Sequence, residues 1–229
     1  MSFVSVLATA EETKSFAVGH FSFGYILANT STRITKTEIN IPIVFALSVI
    51  PDIDIIVPYV EHRGPIHSLM ALFTIFIPIL IFYRKKAVPY FLALIQHPLV
   101  TDYVCGGKIQ LLWPITTQHY GIEMSIKSLE NISLEWMFFV VALAVMLKTR
   151  DAAKLLQPHN SNLILIVPTI TVLLPTFLSF PLDVPFWLIP PHLIYLAIFS
   201  ASIIIDLAAY KEAFNKVIWK PRLVQFVSF

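Results

Sequence analysis

Four clusters of basic residues, Arg33/Lys36, Arg84–Lys86, Lys148–Lys154 and Lys211–Arg222, cut this chain into apolar runs, and that alternation constrains its fold more than any other feature. The runs are Ser15–Thr32, Ile41–Ile50, Ile66–Tyr83, Ala87–Val104, Ile132–Leu147, Leu163–Phe180 and Pro185–Tyr210. A helix of about 20 apolar residues crosses a hydrocarbon core of ~30 Å. Ile41–Ile50, with ten residues, spans only about half of that as a helix. Charged residues make up 13% of the chain, against about 25% in a soluble domain. The expected fold is an all-α, polytopic transmembrane helical bundle of about six to seven helical segments. It forms a single integral membrane domain over residues 1–229, multi-pass in the cell membrane.

Basic residues favour the cytoplasmic side of short loops. With all four clusters on that side, successive runs alternate in direction, which puts the N-terminus outside and the tail inside. The net charge of +2 is too small to argue for a nucleic-acid partner. A single cysteine, Cys105, excludes an internal disulfide and a thiolate metal site. The first residues lack a charged segment ahead of their short apolar stretch, and Glu11 and Glu12 follow it, so they do not read as a signal peptide.

Against this oily background, Pro51–Ser68 (PDIDIIVPYVEHRGPIHS) is dense in polar groups. Asp52, Asp54, His62 and His67 provide four metal ligands or two acid–base pairs, with Arg63 among them. Such groups beside apolar runs cost free energy unless they are paired or bound. The plain alternative is a polar loop between helices with Asp and His as turn residues. The topology adds a second observation: His20, Asp52, Asp54, His62 and His67 all fall toward the non-cytoplasmic side. Asp102 lies 16 residues beyond Lys86, roughly 24 Å along a helix, and His97 roughly 16 Å. Five residues separate His97 from Asp102, which does not align two side chains on a regular α-helix. Pro98 disfavours regular geometry there, and a locally widened turn brings the pair together. The alternative for this pair is that it satisfies itself within the bundle.

In order, these pieces are His20 with Gly24, Pro51-Asp52-Ile53-Asp54, His62-Arg63-Gly64-Pro65-Ile66-His67-Ser68, His97, Asp102, Gly107 and Leu111-Leu112-Trp113-Pro114. Together they resemble the membrane-bound metal-dependent hydrolase family, bacterial and archaeal proteins that include a LexA-regulated inner-membrane member. The resemblance covers residues 17–116, the motif-bearing half; the C-terminal three-span half, residues 132–210, carries no such motif. The chain departs from the family pattern in having Ile55 for a histidine, Ile66 for a threonine, and a His97–Asp102 spacing of five where four is usual.

The resemblance implies a metal-dependent hydrolase. The ligand chemistry agrees, since imidazole and carboxylate suit zinc first, and manganese or iron as well. The candidate metal ligands are His20, Asp52, Asp54, His62, His67, His97 and Asp102, enough for two ions or for one ion with outer partners that orient the histidines. Asp54, His67 and Arg63 are the candidate catalytic residues, with the Arg63 fork suited to a phosphoryl group. The set is also similar to that of helical zinc-dependent phospholipases C and nucleases. The expected activity is therefore hydrolysis of a phosphoester on a membrane lipid or lipid-linked substrate. The competing classes are a transporter or proton-coupled membrane protein, which would distribute polar groups through both halves, and a scaffold with a structural metal. Ser68 reads equally as a helix cap or as a donor to the site. Glu135 reads either as a favourable helix-start charge or as a group approaching the site. Trp113, Trp136 and Trp187 read as interface anchors, and His119, His159 and His192 lie off the motifs.

Overall fold

The computed structural model describes residues 17–57, 59–122, 124, 125, 127–178 and 184–218. The N-terminal stretch that does not read as a signal peptide, and Lys220 and Arg222 of the last basic cluster, lie outside the described residues. Among the described residues the regular structure is helical, and the only β pairing is one isolated bridge, Ile109 to Tyr120.

Proline and capping side chains set the breaks. Helix α1 is Ala17–Thr35. Helix α2, Ile41–Val49, starts where the Asn40 side chain accepts from Ile43 N at 3.3 Å and Pro42 occupies the first turn. Pro51, which lacks an N–H, follows its end, and the chain tightens into a 3-10 segment, Ile50–Ile56. Helix α3, Leu69–Tyr83, is capped by Ser68, whose Oγ accepts from Ala71 N at 3.2 Å. It stops at Arg84, which sits at φ 50° and starts a 3-10 turn, Arg84–Lys86. Helix α4, Val88–Gln96, then widens into a π-helix over His97–Gly106. Helix α5 is Leu129–Lys148, with Ser128 as its cap. A short helix α6, Asp151–Leu155, follows a reversal at Arg150 (φ 60°). Helix α7, Asn162–Leu178, mixes 3-10, α and π turns around Pro168 and Pro175. A 3-10 turn, Phe186–Leu188, leads into α8, Ile189–Ile218.

Helix α1 is the centre of the bundle, packed against α2, α4 and α5. Its Phe21 and Tyr25 join Phe45, Phe139, Tyr195 and Phe199 in a buried aromatic core. By contrast, α3 turns Met70, Phe73, Ile77, Leu80, Ile81 and Phe82 outward. An apolar face of that kind costs free energy in water and none in lipid.

The all-α class is as expected, and eight helices among the described residues stand against the six to seven segments expected. Among the described residues, only Leu129–Lys148 and Phe186–Asn215 are long and apolar enough to cross a membrane by themselves. Helix α3 has 15 residues, or about 22 Å, and α2 and α4 have nine each. The apolar runs exceed their regular α-helical parts, because Pro51 and Gly64-Pro65 convert run ends into tight turns, while at Pro98 the helix continues in a widened form to Gly106. The chain alternates direction so that the start of α1, the end of α2, the start of α3 and the end of α4 meet at one end of the bundle.

Candidate metal centre

At that end the Pro51 turn and the Glu61–Gly64 turn face one another. In a 3-10 helix, with three residues per turn, side chains two apart diverge by roughly 120°. Asp52 and Asp54 accordingly bracket His67 from two sides. Asp52 Oδ1 lies 3.4 Å from its Nε2, and Asp54 Oδ2 lies 3.2 Å from its Nδ1. Asp54 also accepts from His62 Nδ1 at 2.8 Å and from the Arg63 backbone N at 3.2 Å. The turn that carries Arg63 needs its neighbours: Arg63 sits at φ 62°, and a Cβ at Gly64 would come within 2.8 Å of the Glu61 carbonyl oxygen. The Arg63 carbonyl accepts from Gln110 N at 3.0 Å, which ties this turn to the following loop.

The π-helix supplies the other side. With the helix widened, His97 and Asp102 meet despite their spacing of five: His97 Nε2 is 3.2 Å from Asp102 Oδ2. The same His97 Nε2 is 3.3 Å from Asp52 Oδ1, and Asp102 Oδ2 is 3.3 Å from His67 Nε2. His97 Nδ1 donates to the Ser48 carbonyl at 2.6 Å, which leaves Nε2 as the lone-pair nitrogen facing the cluster. His20, at the start of α1, stacks on His97 with ring centroids 4.0 Å apart and brings Nε2 to 3.6 Å from Asp102 Oδ1. Its Nδ1 contacts Thr101 Oγ1. Arg63 Nη2 stands 3.9 Å from Asp102 Oδ1. All seven candidate ligands and Arg63 are thus gathered in one cluster, and all but the half-buried His62 are buried.

The cluster is close but not satisfied. Asp52 Oδ1, His62 Nε2, both ring nitrogens of His67, His97 Nε2, both Asp102 oxygens, and Arg63 Nε and Nη2 are buried without a hydrogen bond of acceptable geometry among the described residues. Each such atom costs about 1–3 kcal/mol. The short approaches run from 3.2 to 3.4 Å. Neighbouring donors on one ion at ~2.0–2.1 Å lie about 3.3 Å apart when tetrahedral. Three overlapping triads, His20/Asp52/His97, Asp52/His62/His67 and His67/His97/Asp102, have ligand atoms within 4.8 Å of one another. The donor set therefore fits a divalent cation.

Several neighbours carry no sequence signal or an ambiguous one. The Ser48 carbonyl is a backbone group, visible only in the fold. Glu135, on α5, is buried and accepts from the Gly19 N–H, one residue before His20. A Cβ at Gly19 would stand 2.6 Å from Glu135 Oε1, and one at Gly24 would collide with Ser48 Oγ. Ser68 caps α3. His119, His159 and His192 take no part in the cluster: they contact Glu61, Ser161 and the Leu188 carbonyl respectively.

No curated protein and no solved structure matches this chain. A family model does match, over residues 16–180, a span that contains every residue of the cluster. The chain belongs to the YdjM inner membrane protein family.

Proposed function

We propose that this protein is a multi-pass membrane hydrolase whose His/Asp cluster holds a divalent ion, zinc first and manganese or iron next, and cleaves a phosphoester of a lipid or lipid-linked substrate. The observation that carries the reading is the set of buried, unmet donor atoms on Asp52, His67, His97 and Asp102, spaced at 3.2–3.4 Å. These four are the ligands in this reading, with His20 and His62 beside them. Asp54 has both oxygens engaged by His62, Arg63 and His67, and so serves to orient them. A bound ion there supplies Lewis acidity and lowers the pKa of water toward neutrality. Arg63 is buried with Nε and Nη2 unmet, which suits an anionic phosphoryl oxygen better than a neutral amide. The outward apolar face of α3, which starts directly after His67 and Ser68, supports supply of substrate from the lipid. The basic clusters at the opposite end support a site on the non-cytoplasmic side.

The test is metal analysis of purified protein, then a screen of phospholipids and isoprenoid phosphates with and without chelator, comparing wild type with His67→Ala. Chelator-sensitive release of phosphate or phospho-headgroup, lost in His67→Ala, is the expected result. Stoichiometric metal without turnover on any ester would make the site structural. No metal after reconstitution would overturn the reading in favour of a proton relay.

A further inference from the structure

The end of the bundle opposite the His/Asp cluster holds a cavity of about 990 Å³, between the ends of α3 and α6 and the starts of α2, α4 and α7. Its wall carries Arg84, Lys85, Lys86 and Lys154, against one lining carboxylate, Glu38. Lys154 pairs with Asp151 at 2.8 Å. Among the described residues no carboxylate is within ion-pair distance of Arg84, Lys85 or Lys86. The three cations are not a loose tail. Arg84 reverses the chain at φ 50°, and Ala87 N bonds back to the Arg84 carbonyl at 3.0 Å, so all three sit on one closed turn. Concentrating them there costs self-repulsion, which a bound anion removes.

The rest of the wall is mixed, with Asn40, Gln157, Ser161 and Asn162 adding neutral polar groups beside apolar ones. Phe82, Tyr83 and Leu155 line the same cavity, and Phe82 is 84% exposed at the end of the outward apolar face of α3. Cations on a closed turn with an exposed apolar side chain, Phe82, two residues before them match an amphiphile with a negatively charged head. The size falls at the upper end for small-molecule sites, about 300–1,000 Å³. Membership of an inner membrane family puts such molecules within reach.

We propose that this cavity binds the headgroup of an anionic phospholipid, with the phosphate on the Arg84–Lys86 turn and the upper acyl chain along Phe82. The site is separate from the His/Asp cluster and does not depend on hydrolysis there. The shared chemistry with free phosphate is the anion alone; the exposed Phe82 is what selects the lipid.

Native mass spectrometry of the full chain in detergent tests this, with dioleoyl phosphatidylglycerol, dioleoyl phosphatidylcholine and inorganic phosphate as probes. Wild type should hold phosphatidylglycerol at least about tenfold more tightly than phosphatidylcholine. The variant Arg84→Gln/Lys85→Gln/Lys86→Gln should lose that preference, while Lys211→Gln, outside the cavity wall, should keep it. Circular dichroism checks that the triple variant is folded. If it is not, raising salt on wild type must erase the preference instead. Equal binding of the two lipids to wild type, or a preference that survives the triple substitution or high salt, would overturn the proposal. Displacement of phosphatidylglycerol by equimolar inorganic phosphate would show a free-anion site and overturn the lipid assignment.

Discussion

Two polar clusters built around buried carboxylates share helix α1, and they are solved differently. Tyr25 donates to Asp151 Oδ2 at 2.7 Å, Lys154 Nζ donates to Asp151 Oδ1 at 2.8 Å, and Thr149 Oγ1 lies 3.3 Å from the Tyr25 hydroxyl. Each oxygen of that carboxylate is met from inside the protein. Around His20 the carboxylates of Asp52 and Asp102 face several imidazoles and an arginine, yet Asp52 Oδ1, both Asp102 oxygens, and His67 and His97 Nε2 miss hydrogen-bond geometry. Tyr25 and Asp151 are as buried as His20, Asp52 and Asp102, while Thr149 and Lys154 reach their cluster from nearer the surface. A buried polar cluster that serves only the fold closes on itself, as the Tyr25 cluster does. One that stops short, with donors converging at a common spacing, is arranged for something the chain does not supply.

That contrast breaks first at His97. His97→Ala removes a nitrogen that faces both Asp52 and Asp102, and metal affinity should fall by more than the ~100-fold upper range of outer-partner substitutions. Equilibrium dialysis with zinc measures it, and an affinity equal to wild type would end the idea that the cluster is a ligand set. Asp54→Asn keeps the shape but weakens the hold on His62 and His67. A loss of about 10–100-fold in metal affinity is expected, with helix content unchanged by circular dichroism. A loss as large as that of His97→Ala would instead make Asp54 a ligand.

The remaining two predictions sharpen the comparison from the other side. Tyr25→Phe takes one hydrogen bond from the buried Asp151 carboxylate and should cost about 1–3 kcal/mol of stability. It should leave metal affinity as it is; a parallel fall in both would mean that the two clusters on α1 are not independent. Ser68→Ala lies next to His67 but removes a helix cap, so thermal unfolding should show a cost of ~1 kcal/mol or less. Altered metal affinity in that variant would return Ser68 to the site.

The legibility of the two clusters in the sequence differs for the same physical reason. The His/Asp residues stand out because Pro51–Ser68 is short, polar and flanked by apolar runs, and because His97-Pro98 with Asp102 announces an irregular helix. The helical class followed from the apolar runs. The groups that hold those residues in place were not visible. The Ser48 carbonyl has no residue signature, and the approach of Glu135 to Gly19 joins positions 116 residues apart. In the sequence Glu135 reads equally as an ordinary helix-start charge. The Tyr25–Asp151 cluster has no sequence signal, since a tyrosine in an apolar run and an aspartate at a helix start are each unremarkable alone. The exact helix ends are less legible, because hydropathy counts residues while Pro51 and Gly64-Pro65 decide where the helical ladder stops.

The widened turn at His97–Gly106 bears on how motif length should be compared between relatives. On an α-helix a spacing of four brings two side chains together; on a π-helix, where the bond runs to the fifth residue, a spacing of five does so, as His97 and Asp102 do here. A one-residue insertion between two interacting positions is normally read as a broken pair. In this bundle it is absorbed by the change in winding, and Pro98, which deletes a rung of the ladder at that point, makes the change inexpensive. A chain one residue shorter in this stretch could bring the same two side chains together on a regular α-helix, so a gap here does not by itself separate two geometries.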